Sequence, residues 1–139
     1  MLLQRVQVRP YYGQIELGDP NSSTFPQFET GDEGVVALPH YVVVATRGDA
    51  EGKVTIEVRQ GDADVDDPRA SAAIFDGELI LSEDAAVIGN SVGNDLHPVR
   101  LGAGRHRLRV LRAPNTSTPD AVYFLVDPNG GSASSDGSA

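Results

Sequence analysis

Apolar residues recur at every second position along almost the whole chain, and that alternation restricts the backbone to extended strands. In "KVTIEVRQ" (53–60), Val54, Ile56 and Val58 share one face of a strand, and Thr55, Glu57 and Arg59 share the other. Val6 and Val8 alternate with Arg5, Gln7 and Arg9, and Ile15 and Leu17 with Gln14 and Glu16. "YVVVAT" (41–46) is a continuous β-branched run, the pattern of a strand covered on both faces, and "AVYFLVD" (121–127) is a second uninterrupted apolar strand. Asp76-Gly77 reads as a two-residue hairpin turn joining "SAAIF" to "ELILS", and "GAG" (102–104) as a turn between "HPVRL" and "HRLRVLR". Only "DDPRASAAIF" (66–75), with Pro68 early, offers a helical turn, and its Ile74 and Phe75 fit a strand equally well.

About eight to ten such strands, with turns at intervals of roughly 8–14 residues, predict an all-β fold. The architecture expected is a jelly-roll-like antiparallel β-sandwich, one domain over residues 1–127. Segment 19–34, "DPNSSTFPQFETGDEG", is too long for a turn; it is expected to cross an end of the sandwich, pinned by Phe25 and Phe28. The tail "PNGGSASSDGSA" (128–139) is small, polar and glycine-rich, and is expected to be disordered.

With 139 residues the chain can bury one real core, and with no Trp, four Tyr and four Phe that core must be mainly aliphatic. Cysteine is absent, so packing alone holds the fold. Twenty acidic against eleven basic residues leave a net charge of −9, which argues against nucleic-acid binding and favours a basic protein as partner. No stretch approaches the ~20 apolar residues that span a bilayer, and Gln4, Arg5, Gln7 and Arg9 interrupt "MLLQRVQVRP". A cytoplasmic location, no membrane contact and no cofactor are the expectations.

Motifs that carry chemistry fail on inspection. "GDAEGKV" (48–54) has three residues between Gly48 and Gly52, and Val54 after Lys53, where a phosphate loop needs four residues and Ser or Thr. "DADVDDPRASAA" (62–73) places Asp62, Asp64 and Asp66 as a calcium loop does. Asp67 then replaces the turn glycine and Ala73 the bidentate glutamate, leaving a solvated acidic loop or a looser cation site. The "RGD" at 47–49 and the sequons at Asn21 and Asn115 are idle without secretion. His40, His97 and His106 show no chelating spacing, no nucleophile elbow is present, and a thiol mechanism is excluded.

In "RHRLRVLR" (105–112), alternation sets Arg105, Arg107 and Arg109 outward and Leu108 and Val110 inward. Like charges so aligned need partners, and Glu16, Glu57, Glu78 and Asp95 are the candidates. A mixed-charge solvated face is the plainer reading and an anion site the alternative.

Val8, Tyr12, Gln14, Leu17 and Asp19, then "VVVAT", "VTIEV", "GELIL", "VRLGAGRHRLRVL" and "VYFLV", resemble in this order small bacterial β-sandwich proteins. Among these are the competence-associated DNA-entry nuclease inhibitors (the competence protein J family) and their actinobacterial relatives. The resemblance covers about residues 6–127. His106 stands where those proteins carry Tyr, and their first-loop tryptophan is missing here, with Phe25 or Phe28 in that region. The resemblance implies a soluble inhibitor or immunity-type protein that blocks a basic enzyme such as a nuclease. Its contacts would come from Glu29, Asp32 and Glu33 in the first acidic loop and from Asp62, Asp64, Asp66 and Asp67 in the second. Two other readings stay open: a carbohydrate- or calcium-dependent binding module, for which Tyr11, Tyr12 and Tyr41 are the available platforms, and an enzyme built on converging histidines.

Overall fold

The computed structural model describes residues 1–30, 33–61, 65, 67–70, 72–90 and 92–127. The segment 128–139, expected to be disordered, lies outside them. Ten strands form two five-stranded sheets: β1 (Leu2–Val8), β2 (Gln14–Gly18), β3 (Val35–Leu38), β4 (Tyr41–Ala45), β5 (Val54–Gln60), β6 (Phe75–Leu81), β7 (Ala85–Asn90), β8 (Leu96–Arg100), β9 (Gly104–Ala113) and β10 (Ala121–Val126). One sheet runs β1-β5-β10-β9-β6 and the other β3-β4-β2-β7-β8. The all-β sandwich expected from the alternation is the fold.

Between the sheets lies a single aliphatic core. Val8, Ile15, Leu17, Val42, Val44, Val54, Ile56, Val58, Leu79, Ile88, Leu108, Val110, Val122 and Phe124 are fully buried there. These are the inward halves of the alternating strands, and the face read from "KVTIEVRQ" and "HRLRVLR" is the one that is buried. Fully burying such a side chain contributes roughly 1.5–3 kcal/mol each, before chain entropy is counted against it.

The antiparallel pattern breaks at one pair: β5 and β10 run parallel, with Ile56 beside Val122 and Val58 beside Phe124. Since β10 is antiparallel to β9, and β9 to β6, the consecutive strands β5 and β6 point the same way, three positions apart. In the other sheet β2 and β3 are both antiparallel to β4, so they too are parallel to each other. A parallel return cannot be made by a tight turn; the chain must travel back along the strand length. Segments 19–34 and 61–74 make those two returns. Because the inner faces are packed together, each return runs over an outer face. The first covers the β3-β4-β2-β7-β8 sheet rather than merely an end of the sandwich: Phe25 meets Tyr41 edge to face at 4.8 Å. The second lays Val65 and Ala70 over Ala113, Ala121, Tyr123 and Leu111. Double coverage is why "YVVVA" and "AVYFLV" are apolar on both faces.

Asp76-Gly77 is not a turn. Both residues lie inside β6, opposite Arg109 and Leu108 of β9. The glycine is there for space: a Cβ at Gly77 would press on the ring of Phe75. Gly18 does the same under Tyr41, its direct cross-strand neighbour, where a Cβ would collide with the ring. Tyr41 is buried and cannot swing out, whereas Phe75 is half-buried. Gly18→Ala should therefore cost about 1–3 kcal/mol, Gly77→Ala less, and Gly48→Ala, with nothing near its Cβ position, under about 0.5 kcal/mol. Urea denaturation midpoints check the order.

Candidate functional site

The outer face of the β3-β4-β2-β7-β8 sheet carries a groove of about 480 Å³. Its floor is built on the cross-strand pair Val43 of β4 and Glu16 of β2, with Val87 of β7 beside them. One wall is the crossover, with Pro20, Ser22, Phe25, Pro26 and Gln27; the other is the β7–β8 connection, with Val92 and Gly93, and Leu96 at the start of β8. Gly89 lets that second wall come close, because a Cβ there would run into the Asp95 carbonyl and Leu96. Phe25, Val92 and Leu96 are 55%, 45% and 42% exposed, so the rim is apolar and open to solvent.

Glu16 is the chemical centre of the groove. It is 7% exposed, and its Oε1 accepts a 2.6 Å hydrogen bond from the Tyr41 hydroxyl. No Lys or Arg forms an ion pair with it among the described residues. Burial pushes its carboxyl above the ordinary glutamate value, and the Tyr41 hydrogen bond only partly opposes this. The Tyr41 hydroxyl is itself pushed far up, by burial and by donating to Glu16. Asp19, the second carboxylate of the groove, is fully occupied: it accepts from the Asn21 and Ser82 amides, each at 2.9 Å, and from the Ser82 hydroxyl at 3.1 Å. Burial alone would raise it, but these hydrogen bonds outweigh burial and hold it below the ordinary aspartate value. Since Ser82 directly follows β6, Asp19 ties one sheet to the other.

The acidic loops divide differently from their sequence pattern. Glu33 turns back on its own loop, accepting from the Glu29 amide at 2.6 Å and the Thr30 hydroxyl at 2.9 Å, and these bonds lower its carboxyl to about 2. Glu29 is exposed beside it. Asp67 is gripped by Arg69 through two side-chain hydrogen bonds of 3.1 and 2.9 Å, and by the Tyr123 hydroxyl at 2.7 Å. Arg69 above all holds the Asp67 carboxyl well below the usual range. Arg69 also reaches Asp120 at 2.9 Å, fastening the second crossover to the start of β10. Asp32, Asp62, Asp64 and Asp66 lie outside the described residues. Both crossovers finish at the same end of the sandwich: Gly34 stands against the Arg112 guanidinium, and the Asp120 amide bonds the neighbouring Ala113 carbonyl.

The arginine row is wet and paired. Arg105 meets Glu78 at 3.6 Å, Arg107 meets Asp76 at 2.7 Å, and Arg107 and Arg109 both face Asp127 at 3.9 and 3.7 Å. Of the partners expected from sequence, Glu78 is one. Glu16 instead binds Tyr41, Glu57 binds Arg59 and Arg5, and Asp95 binds His97. The three histidines occupy separate places: His40 beside the Ile80 carbonyl, His97 against Asp95, and His106, buried on β9, against the Gly102 carbonyl. Among the described residues no three His, Asp or Glu side chains gather as a metal site. Tyr41 is buried, its ring met by Phe25, and presents no platform to a sugar.

No family model matches the sequence, and no curated protein matches it. Solved structures do. The crystal structure of ComJ, inhibitor of the DNA-degrading activity of NucA from Bacillus subtilis, is similar over 92% of this chain and 97% of that one, with a TM-score of 0.72 and 14% identity. The chain has a ComJ-like fold. A second structure, described as crocagin biosynthetic gene J, matches 90% of this chain and 96% of its own at a TM-score of 0.59 and 9% identity. At these identities the likeness is one of fold. Among the described residues no helix is long and apolar enough to cross a membrane.

Glu16 makes a signed prediction. A carboxyl raised above its unfolded value of 4.5 stabilises the fold fully below that value and loses the contribution as pH rises through the folded value. Glu16→Gln should therefore gain stability relative to the parent as pH climbs from 4 to 8, and Tyr41→Phe should lose about 1–3 kcal/mol. Thermal melts across that range check both.

Proposed function

We propose that the protein is a non-enzymatic inhibitor that binds and blocks a basic enzyme, a nuclease being the class favoured. The ComJ-like fold over 92% of the chain carries this reading, because ComJ is described as an inhibitor of a DNA-degrading enzyme. The net charge of −9 supports it: a nuclease holds phosphates in a basic groove, and an acidic surface competes for that groove and speeds encounter. Glu29, Asp32, Glu33, Asp62, Asp64, Asp66 and Asp67 are proposed as the steering carboxylates, on crossovers that finish at one end of the sandwich. The internal hydrogen bonds of Glu33 keep it ionised to low pH with no cation beside it among the described residues, while Asp67 stays ionised in its pair with Arg69.

DNA-degradation assays with NucA, and with nucleases encoded beside the chain's own gene, test the proposal. The expected result is inhibition that saturates at one protein per enzyme and weakens several-fold between about 50 and 200 mM salt, as charged rims do. Undiminished cleavage by every nuclease at a large excess of the protein would overturn it.

A further inference from the structure

Glu16 presents an unresolved charge. It is 7% exposed, one oxygen is held by Tyr41, and no cation pairs with it among the described residues. Other buried or half-buried carboxylates among the described residues are compensated. Glu57 has Arg59 at 2.8 Å, Asp67 has Arg69, and Asp19 has three hydrogen-bond donors. Leaving a carboxylate inside apolar surroundings without a cation is unfavourable, and the deficit is removed by whatever brings one. Glu16 also lines an open groove rather than a sealed core.

The rim narrows the kind of cation. Phe25, Val92 and Leu96 stand exposed around the mouth, although Val, Leu and Phe are ordinarily buried. A bare metal ion or ammonium would gain nothing from them. A side chain with an apolar stem and a flat, weakly hydrated cationic head suits both parts: the stem lies against Val92 and Leu96, and the head stacks near Phe25 and donates to Glu16. Gln14 also lines the groove.

We propose that this groove is an anchor pocket for one arginine side chain projecting from the basic partner protein. The proposal rests on the inhibitor reading above and names where the partner docks: the outer face of the β3-β4-β2-β7-β8 sheet, beside the first crossover. Charge complementarity commits the occupant, since a chain of net charge −9 with an uncompensated carboxylate at the bottom of an apolar-rimmed groove fits an arginine from a basic surface. Such buried, ring-flanked arginines are typical binding hot spots.

Two measurements test it. In the first, amide NMR spectra of the protein are followed during titration with N-acetyl-arginine amide, N-acetyl-lysine amide and N-acetyl-norleucine amide. Arginine should shift the Glu16, Tyr41, Val43 and Leu96 signals, lysine more weakly and norleucine least, and Glu16→Gln should weaken arginine binding by about tenfold or more. Equal responses to all three probes, or no response in the groove, overturn the proposal. In the second, Glu16→Gln and Phe25→Ser are compared with the parent for binding to the nuclease it inhibits. Each should weaken the complex about 10–100-fold, the range of hot-spot truncations. Phe25 sits exposed on the crossover, so its variant tests the rim without opening the core. Parent-like affinity of both variants overturns the pocket while leaving the inhibitor reading standing. Glu16-dependent arginine binding with no nuclease bound overturns the inhibitor reading while upholding the pocket.

Discussion

Two parallel returns shape this molecule. β2 must reach β3, and β5 must reach β6, in the same direction within the same sheet, and no short turn can do that. Each connection therefore runs the length of a strand over an outer face, the inner faces being closed by their mutual packing. What results is four layers of contact rather than two: crossover, sheet, sheet, crossover. The central strands β4 and β10 are buried on both sides as a consequence, and their apolar runs are the residue-level record of it.

Laying a polar loop over an apolar sheet face requires stitches, and on each outer face a tyrosine hydroxyl donates to a carboxylate. Tyr123 reaches out to Asp67 of the second crossover, whose charge Arg69 completes. On the other face Tyr41 holds Glu16 of its own sheet, lying over Gly18 and meeting Phe25 of the first crossover. The Tyr123–Asp67 pair is closed by the Arg69 guanidinium; the Tyr41–Glu16 pair, within its own sheet, has none among the described residues. That asymmetry separates a finished structural contact from a face prepared for a partner, and it places the binding question on the Glu16 side.

Much of the fold was legible in the residues. Alternation gave the strands and the inward faces of β5 and β9, and the length of segment 19–34 excluded a simple turn. The path of that segment was not legible, because strand order and parallel pairing are long-range properties that no local pattern encodes. Asp76-Gly77 misled for a related reason: its turn propensity is local, while the glycine serves the ring of Phe75 and the aspartate serves Arg107. The arginine row was readable as a wet face, but its partners depended on register, and only Glu78 lay where expected. The groove was invisible in sequence, since Glu16 sits in an ordinary alternating strand and looks like any outward polar residue. Gly18 was the available signal, a glycine ending an alternating strand opposite a tyrosine that needs its space.

Carbon-detected NMR of the Glu16 side-chain carboxyl, followed through pH in the free protein and again in its complex with the inhibited nuclease, tests the central claim most directly. A protonation midpoint above 4.5 in the free state, falling well below that value in the complex, is expected if a partner cation supplies the missing charge. An ordinary midpoint that stays put on complex formation would contradict it.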